Sequence, residues 1–135
     1  MCVLKEHLNN PYINGYKVVA KRNDSYFSLA MGFKYVNGVD IPIVKRQIRL
    51  TSYFYDDILN VNRAYNSYME GRTAIFDDEL AAKIFLCKIT SQPYNLFYTP
   101  VVVKARISKD IMQGVYDLWD VYAGRRIKIL KEIPI

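Results

Sequence analysis

The sequence predicts one α+β domain: a mostly antiparallel sheet in the order βββ-α-β-α-β-α-β, with two or three helices packed on one face. Three observations predict it. Turn signals at Asn23-Asp24 and Asn37-Gly38 divide residues 16–50 into three strand-like runs. Three later segments repeat apolar residues at helical spacing. Short runs rich in β-branched residues separate and follow those segments.

Residues 1–14 carry no clear pattern and are expected to form a loosely ordered arm on a domain that spans 1–135. Two-residue turns would then fix the meander, with Arg22 opposite Ser25 and Val36 opposite Val39. Counting back from the turns places Tyr16, Val18, Ala20, Phe27, Leu29, Met31, Phe33, Val44 and Ile48 on one face. Lys17, Val19, Lys21, Tyr26, Ser28, Ala30, Lys45, Gln47 and Arg49 fall on the other. The first set is a core surface; the second is polar, basic and partly aromatic. A one-residue slip would mix them, so the separation supports the register; Arg46 is the exception, falling on the apolar face opposite Leu29, beyond the helix cover or through a bulge at Gly32.

A helix is expected over 53–70, with Phe54, Ile58, Val61, Tyr65 and Tyr68 at helical spacing and Ser52 as N-cap. Thr73–Phe76 reads as a short strand. A second helix over 78–89 follows, capped by Asp77, with Leu80, Ala81, Ile84, Phe85 and Cys87 or Lys88 as its apolar stripe. The Val101-Val102-Val103 run marks a strand over 99–107. A third helix, capped by Ser108 and ended by Gly124, would bury Ile111, Val115, Leu118, Trp119 and Tyr122. Gly114 weakens that helix by about 1 kcal/mol relative to alanine. Residues 125–133 make the last strand.

The charges sort by element. Lys17, Lys21, Lys45, Arg49, Lys104, Arg106, Arg126 and Lys128 alternate along the strands, whereas Asp56, Asp57, Asp77, Asp78, Glu79, Asp110, Asp117 and Asp120 fall near helix starts or on polar helix faces. Acids at helix starts complement the dipole and need no partner. A net charge of +6 favours acidic partners and is also ordinary for solubility.

A non-enzymatic protein that binds a protein partner is expected, through Lys17, Lys21, Tyr26, Lys45, Gln47 and Arg49, a face without Asp or Glu. Tyrosine suits such a face because it offers a large contact area at little entropic cost. The alternatives are a solvated face and, because a tyrosine among bases can stack on an unpaired base, an RNA or single-strand binding face.

Chemistry is sparse. His7 is the one histidine, and Cys2 and Cys87 have no metal-ligand spacing, so neither a His-dependent nucleophile nor a zinc site is indicated. The carboxylate runs fit helix starts better than Mg²⁺ ligation, and the six glycines are scattered singly. No catalytic residue, cofactor or metal is therefore expected. A small metal-independent enzyme, such as a nuclease or ADP-ribosyl transferase, stands as a further alternative. The N-terminus lacks a signal-peptide h-region and no apolar run reaches the ~18 residues of a membrane span, so a cytoplasmic protein is expected.

The stretches GYKVV from Gly15, GRTAIFDDELAAKIF from Gly71 and AGRRIKILKEI from Ala123 resemble small uncharacterised accessory domains of bacteriophages and bacterial mobile elements. The resemblance implies a phage-type accessory factor that binds a host or phage protein in the host cytoplasm, inhibition of a host defence complex being one such role. It brings no catalytic residues with it.

Overall fold

The computed structural model describes residues 2–29, 34–43, 71–90 and 98–134. These residues form strands β1 (Cys2–His7), β2 (Tyr12–Arg22), β3 (Ser25–Phe27), β4 (Lys34–Tyr35), β5 (Ile41–Pro42) and β6 (Thr73–Phe76). Helix α1 (Glu79–Thr90) follows, then β7 (Thr99–Ser108), β8 (Met112–Tyr116), β9 (Trp119–Gly124) and β10 (Arg126–Ile133). Strand accounts for 60% of this and helix for 13%, which corrects the expected α+β layering: the fold is a mostly antiparallel sheet with one helix among the described residues. The expected helix over 53–70 lies outside them.

The sheet order is β1-β8-β9-β6-β2-β7-β10-β5, with β3 on β2 and β4 on β3. Residues 1–14 are not a loose arm, because β1 pairs with β8 and β2 begins at Tyr12.

β7 is an interior strand, between β2 and β10. Its Val101, Val102 and Val103 are all buried, so it is packed on both faces and reads as a continuous apolar run. Burying each valine contributes roughly 1.5–3 kcal/mol. On one face Val19, Val101, Val103, Ala105, Ile107, Ile127 and Ile129 meet Tyr26, Tyr35, Ile75 and Ile111 in the main core. On the other, Val18, Ala20, Val102, Leu29 and Ile133 meet Ala82, Leu86 and Ile89 of α1.

The meander is half realised. Arg22 pairs with Ser25 as the turn signal requires, and Asn23 adopts φ 56°. Val18, Ala20 and Leu29 are buried under α1, as expected of their face. The second turn differs. Only Gly38 has positive φ there, at 72°, the pattern of a type II turn, which does not match hairpin twist. Val39 N–H still reaches the Val36 carbonyl at 3.0 Å, but Gly38 N–H bonds Ile129 of β10 at 3.0 Å. The chain therefore leaves β4, and β5 pairs with β10 through Ile41–Ile127 and Pro42–Arg126.

The expected third helix is a β-hairpin. β8 and β9 pair from Met112–Ala123 to Tyr116–Trp119 across an Asp117-Leu118 turn, with Asp117 at φ 54°. Leu118, assigned to the helix core, sits at the turn and is 96% exposed. The helical spacing in this segment has a physical cause. The buried face of β8 is Met112 and Gly114, and a glycine in an inward position erases the two-residue apolar alternation. A β-carbon on Gly114 would collide with the Val3 carbonyl of β1, so glycine is there for close strand approach.

α1 begins one residue later than expected. Asp78, not Asp77, caps it by accepting from Leu80 N–H at 2.8 Å. Its buried residues are Ala81, Ala82, Leu86 and Ile89, while Leu80, Ile84, Cys87 and Lys88 are exposed. The expected stripe is thus rotated about the axis. Phe85 keeps its inward place, against Phe76 at 5.8 Å and Tyr116 at 5.6 Å between ring centroids. No helix among the described residues is long and apolar enough to cross a membrane.

The hairpin makes the sign of one substitution diagnostic. In a helix Gly114→Ala would stabilise by about 1 kcal/mol. Against β1 it should destabilise by roughly 1–3 kcal/mol, read as a lower urea midpoint at unchanged slope.

Candidate functional site

Of the six residues singled out in the sequence, Lys45, Gln47 and Arg49 lie outside the described residues. Lys17, Lys21 and Tyr26 lie on the face of β2 and β3 that turns to the main core, together with Val19. That face is not a solvated surface. Lys17 donates to the Ala74 carbonyl at 2.7 Å, and Tyr26 is buried.

Nor is the face free of carboxylates. Lys21 Nζ and the Tyr26 hydroxyl both donate to Glu132 Oε1, at 2.7 and 2.8 Å. The hydrogen bonds from Lys21 and then Tyr26 hold the Glu132 carboxyl below its ordinary range. The hydrogen bond to Glu132 raises Lys21, and burial followed by the same carboxylate raises Tyr26.

Glu132 reaches this face through a register shift. Ile129 pairs with Ala105, but Lys131, two residues on, pairs with the adjacent Lys104. One extra residue at Leu130 is a β-bulge. It turns Glu132 toward the face of Val103 and Lys17, and Ile133 toward the face covered by α1. Strict alternation along β10 would reverse both.

The same shift completes a basic surface on the outer face of β2, β7 and β10. Three cross-strand rows lie there side by side: Tyr12–Ser108–Arg126, Asn14–Arg106–Lys128 and Tyr16–Lys104–Lys131. The next row, Val18–Val102–Ile133, is apolar and lies under α1. Five of the nine grid positions are Lys or Arg and none is Asp or Glu. Strand spacing sets neighbouring rows about 6.7 Å apart and neighbouring strands about 4.8 Å apart.

Each member has a local reason for its position. Arg106 Nε donates to Asn14 Oδ1 at 2.8 Å, and its guanidinium lies 4.3 Å from the centre of the Tyr12 ring. This cross-strand stack fixes the plane of both groups. Arg126 is tied to Asp40 at 2.7 Å at the β5 margin. Lys104, Lys128 and Lys131 have no carboxylate within ion-pair distance among the described residues, and Lys131 and Tyr12 are exposed.

Other candidates are accounted for structurally. Glu6 and His7 are exposed neighbours on β1, which sends their side chains to opposite faces. Asp78 caps α1 and Glu79 pairs with Lys83 at 2.9 Å. No cluster of three or more His, Cys, Asp or Glu side chains among the described residues could hold a metal. Cys87 is an exposed free thiol.

The grid cations were visible in the sequence as alternating bases at Lys104, Arg106, Arg126 and Lys128. What was missing was the strand order that puts β10 beside β7, and the bulge that adds Lys131. No protein-family model, curated protein or solved structure matches the chain.

The Lys21–Glu132–Tyr26 contact predicts the pH dependence of stability. Glu132 contributes fully above its ordinary value near 4.5 and loses that contribution as pH falls through its lower folded value. Lys21 and Tyr26, both raised, contribute fully below 10.5 and 10.0 and lose it as pH rises through their folded values. Glu132→Gln should flatten both arms of a plot of urea midpoint against pH. Unchanged arms would show that the contact is not formed in solution.

Proposed function

We propose that the protein is a binding module for a polyanionic ligand, engaged through the outer grid of Lys104, Arg106, Lys128 and Lys131. One observation carries the reading. Five cations occupy three adjacent rows of one sheet face, and Asp40 at its margin, the one carboxylate paired with a grid cation among the described residues, is held by Arg126. A merely solvated sheet face mixes both signs, because like charges on neighbouring strands repel. Here the repulsion among the bases is relieved when an anion lies across the rows.

The arrangement suits binding rather than covalent chemistry. The grid offers Lys and Arg donors, Asn14, Ser108 and two phenols, with no carboxylate or imidazole placed among them to move a proton. This reading differs from the protein partner expected at Lys17, Lys21 and Tyr26: it takes a polyanion as ligand and the outer face of β2, β7 and β10 as the surface.

A heparin column supplies the test. The quadruple variant Lys104→Glu, Arg106→Glu, Lys128→Glu and Lys131→Glu should elute at markedly lower salt than the unaltered protein, with an unchanged far-UV spectrum. A Lys5→Glu, Lys83→Glu pair, away from the grid, should shift elution only slightly. Equal elution of the two variants would remove the grid as the polyanion site.

A further inference from the structure

Resting on the polyanion reading, we infer that the ligand of the grid is a single-stranded nucleic acid. Its phosphates would lie along Lys104, Arg106, Lys128 and Lys131, and a base would stack at Tyr12.

The composition of the grid separates this ligand from an acidic protein. A protein interface draws its energy from an apolar, desolvated centre that excludes water around a few anchors. The centre of this grid is Arg106, flanked by Asn14 and Lys128, and the two outer rows end in Tyr12 and Tyr16. Tyr12 is the one large, well-exposed apolar side chain in it, at 50% exposure; Leu80, Ile84 and Leu118 lie on α1 and the β8–β9 turn. A phosphodiester chain needs no apolar centre. It needs spaced cations to replace its counterions and π-faces on which unpaired bases can lie.

Tyr12 and Arg106 are already arranged for that task. The guanidinium stack at 4.3 Å holds the ring at the edge of the cation rows. With Nε committed to Asn14, the terminal amino groups of Arg106 retain four N–H donors in the fork geometry that suits a phosphate. A duplex keeps its bases paired and stacked inside, so Tyr12 can add nothing to duplex binding. Three strands span only about 10 Å, the width of one backbone rather than two.

The test measures fluorescence anisotropy with three probes: a labelled oligothymidylate of about 15 nucleotides, its duplex with oligodeoxyadenylate, and labelled poly-L-glutamate. The single strand should bind tightest. The slope of log K against log salt should be about −3 between about 50 and 200 mM, for four neutralised phosphates. Lys104→Glu or Lys128→Glu should each reduce that slope by about 0.7 or more. Tyr12→Ala should weaken single-strand binding roughly tenfold and leave duplex binding unchanged, and Tyr12→Phe should restore it.

Each other outcome is decisive. Poly-L-glutamate bound as tightly as the oligonucleotide, with Tyr12→Ala silent, would overturn the nucleic-acid assignment in favour of an acidic protein and leave the polyanion surface standing. Preference for the duplex would overturn the single-strand assignment. Binding of none of the three, with no retention on heparin, would overturn both readings.

Discussion

The extra residue at Leu130 in β10 is the constraint on which the two ends of this molecule depend. Before it, Ile127 and Ile129 point into the main core opposite Ile107 and Ala105. After it the phase reverses. Ile133 fills the layer beneath α1, Glu132 meets Lys21 and Tyr26, and Lys131 joins Lys104 on the outer face. A regular strand would put Glu132 beneath the helix and Ile133 on the polar side. Burying a charge without a partner costs far more than one irregular ladder step, so the bulge is the cheaper arrangement.

Energetically, the sheet dominates. β7 is buried on both faces over Val101–Val103, and that burial outweighs any single polar contact. The Lys21–Glu132–Tyr26 contact makes a smaller contribution and fixes the relation of β10 to the β2–β3 hairpin. α1 covers half of the outer face through Ala82, Leu86 and Ile89. The half that α1 does not cover carries the cations. One sheet face is thus divided into an apolar half packed against the helix and a half whose rows carry the bases.

The legible parts of the sequence were those with local causes. The Asn23-Asp24 turn, the strand through Val101–Val103, the short strand before α1 and the final strand depend on residues that are neighbours in the chain. The third helix was misread because Gly114 stands where an inward apolar side chain would have kept the two-residue period. Its reason for being there, the carbonyl of Val3, is more than a hundred residues distant in sequence. The stripe of α1 was rotated for a similar reason: Leu80 and Ile84 have the right spacing, but the sheet meets the smaller Ala81 and Ala82. The basic face was drawn on the inner side of β2 because alternation records two faces without saying which is covered.

The sequence by itself determined the antiparallel character of the sheet, the first turn and its register, and the presence of alternating bases on the strands. Each follows from backbone preferences and polarity within a few residues. Only the tertiary structure decided that Lys17, Lys21 and Tyr26 face inward and that Lys104, Arg106, Lys128 and Lys131 share a surface. Those facts depend on which strands lie side by side and on one unpaired residue at Leu130. Strand order and bulges are set by long-range burial, to which the polarity pattern of a single strand is blind.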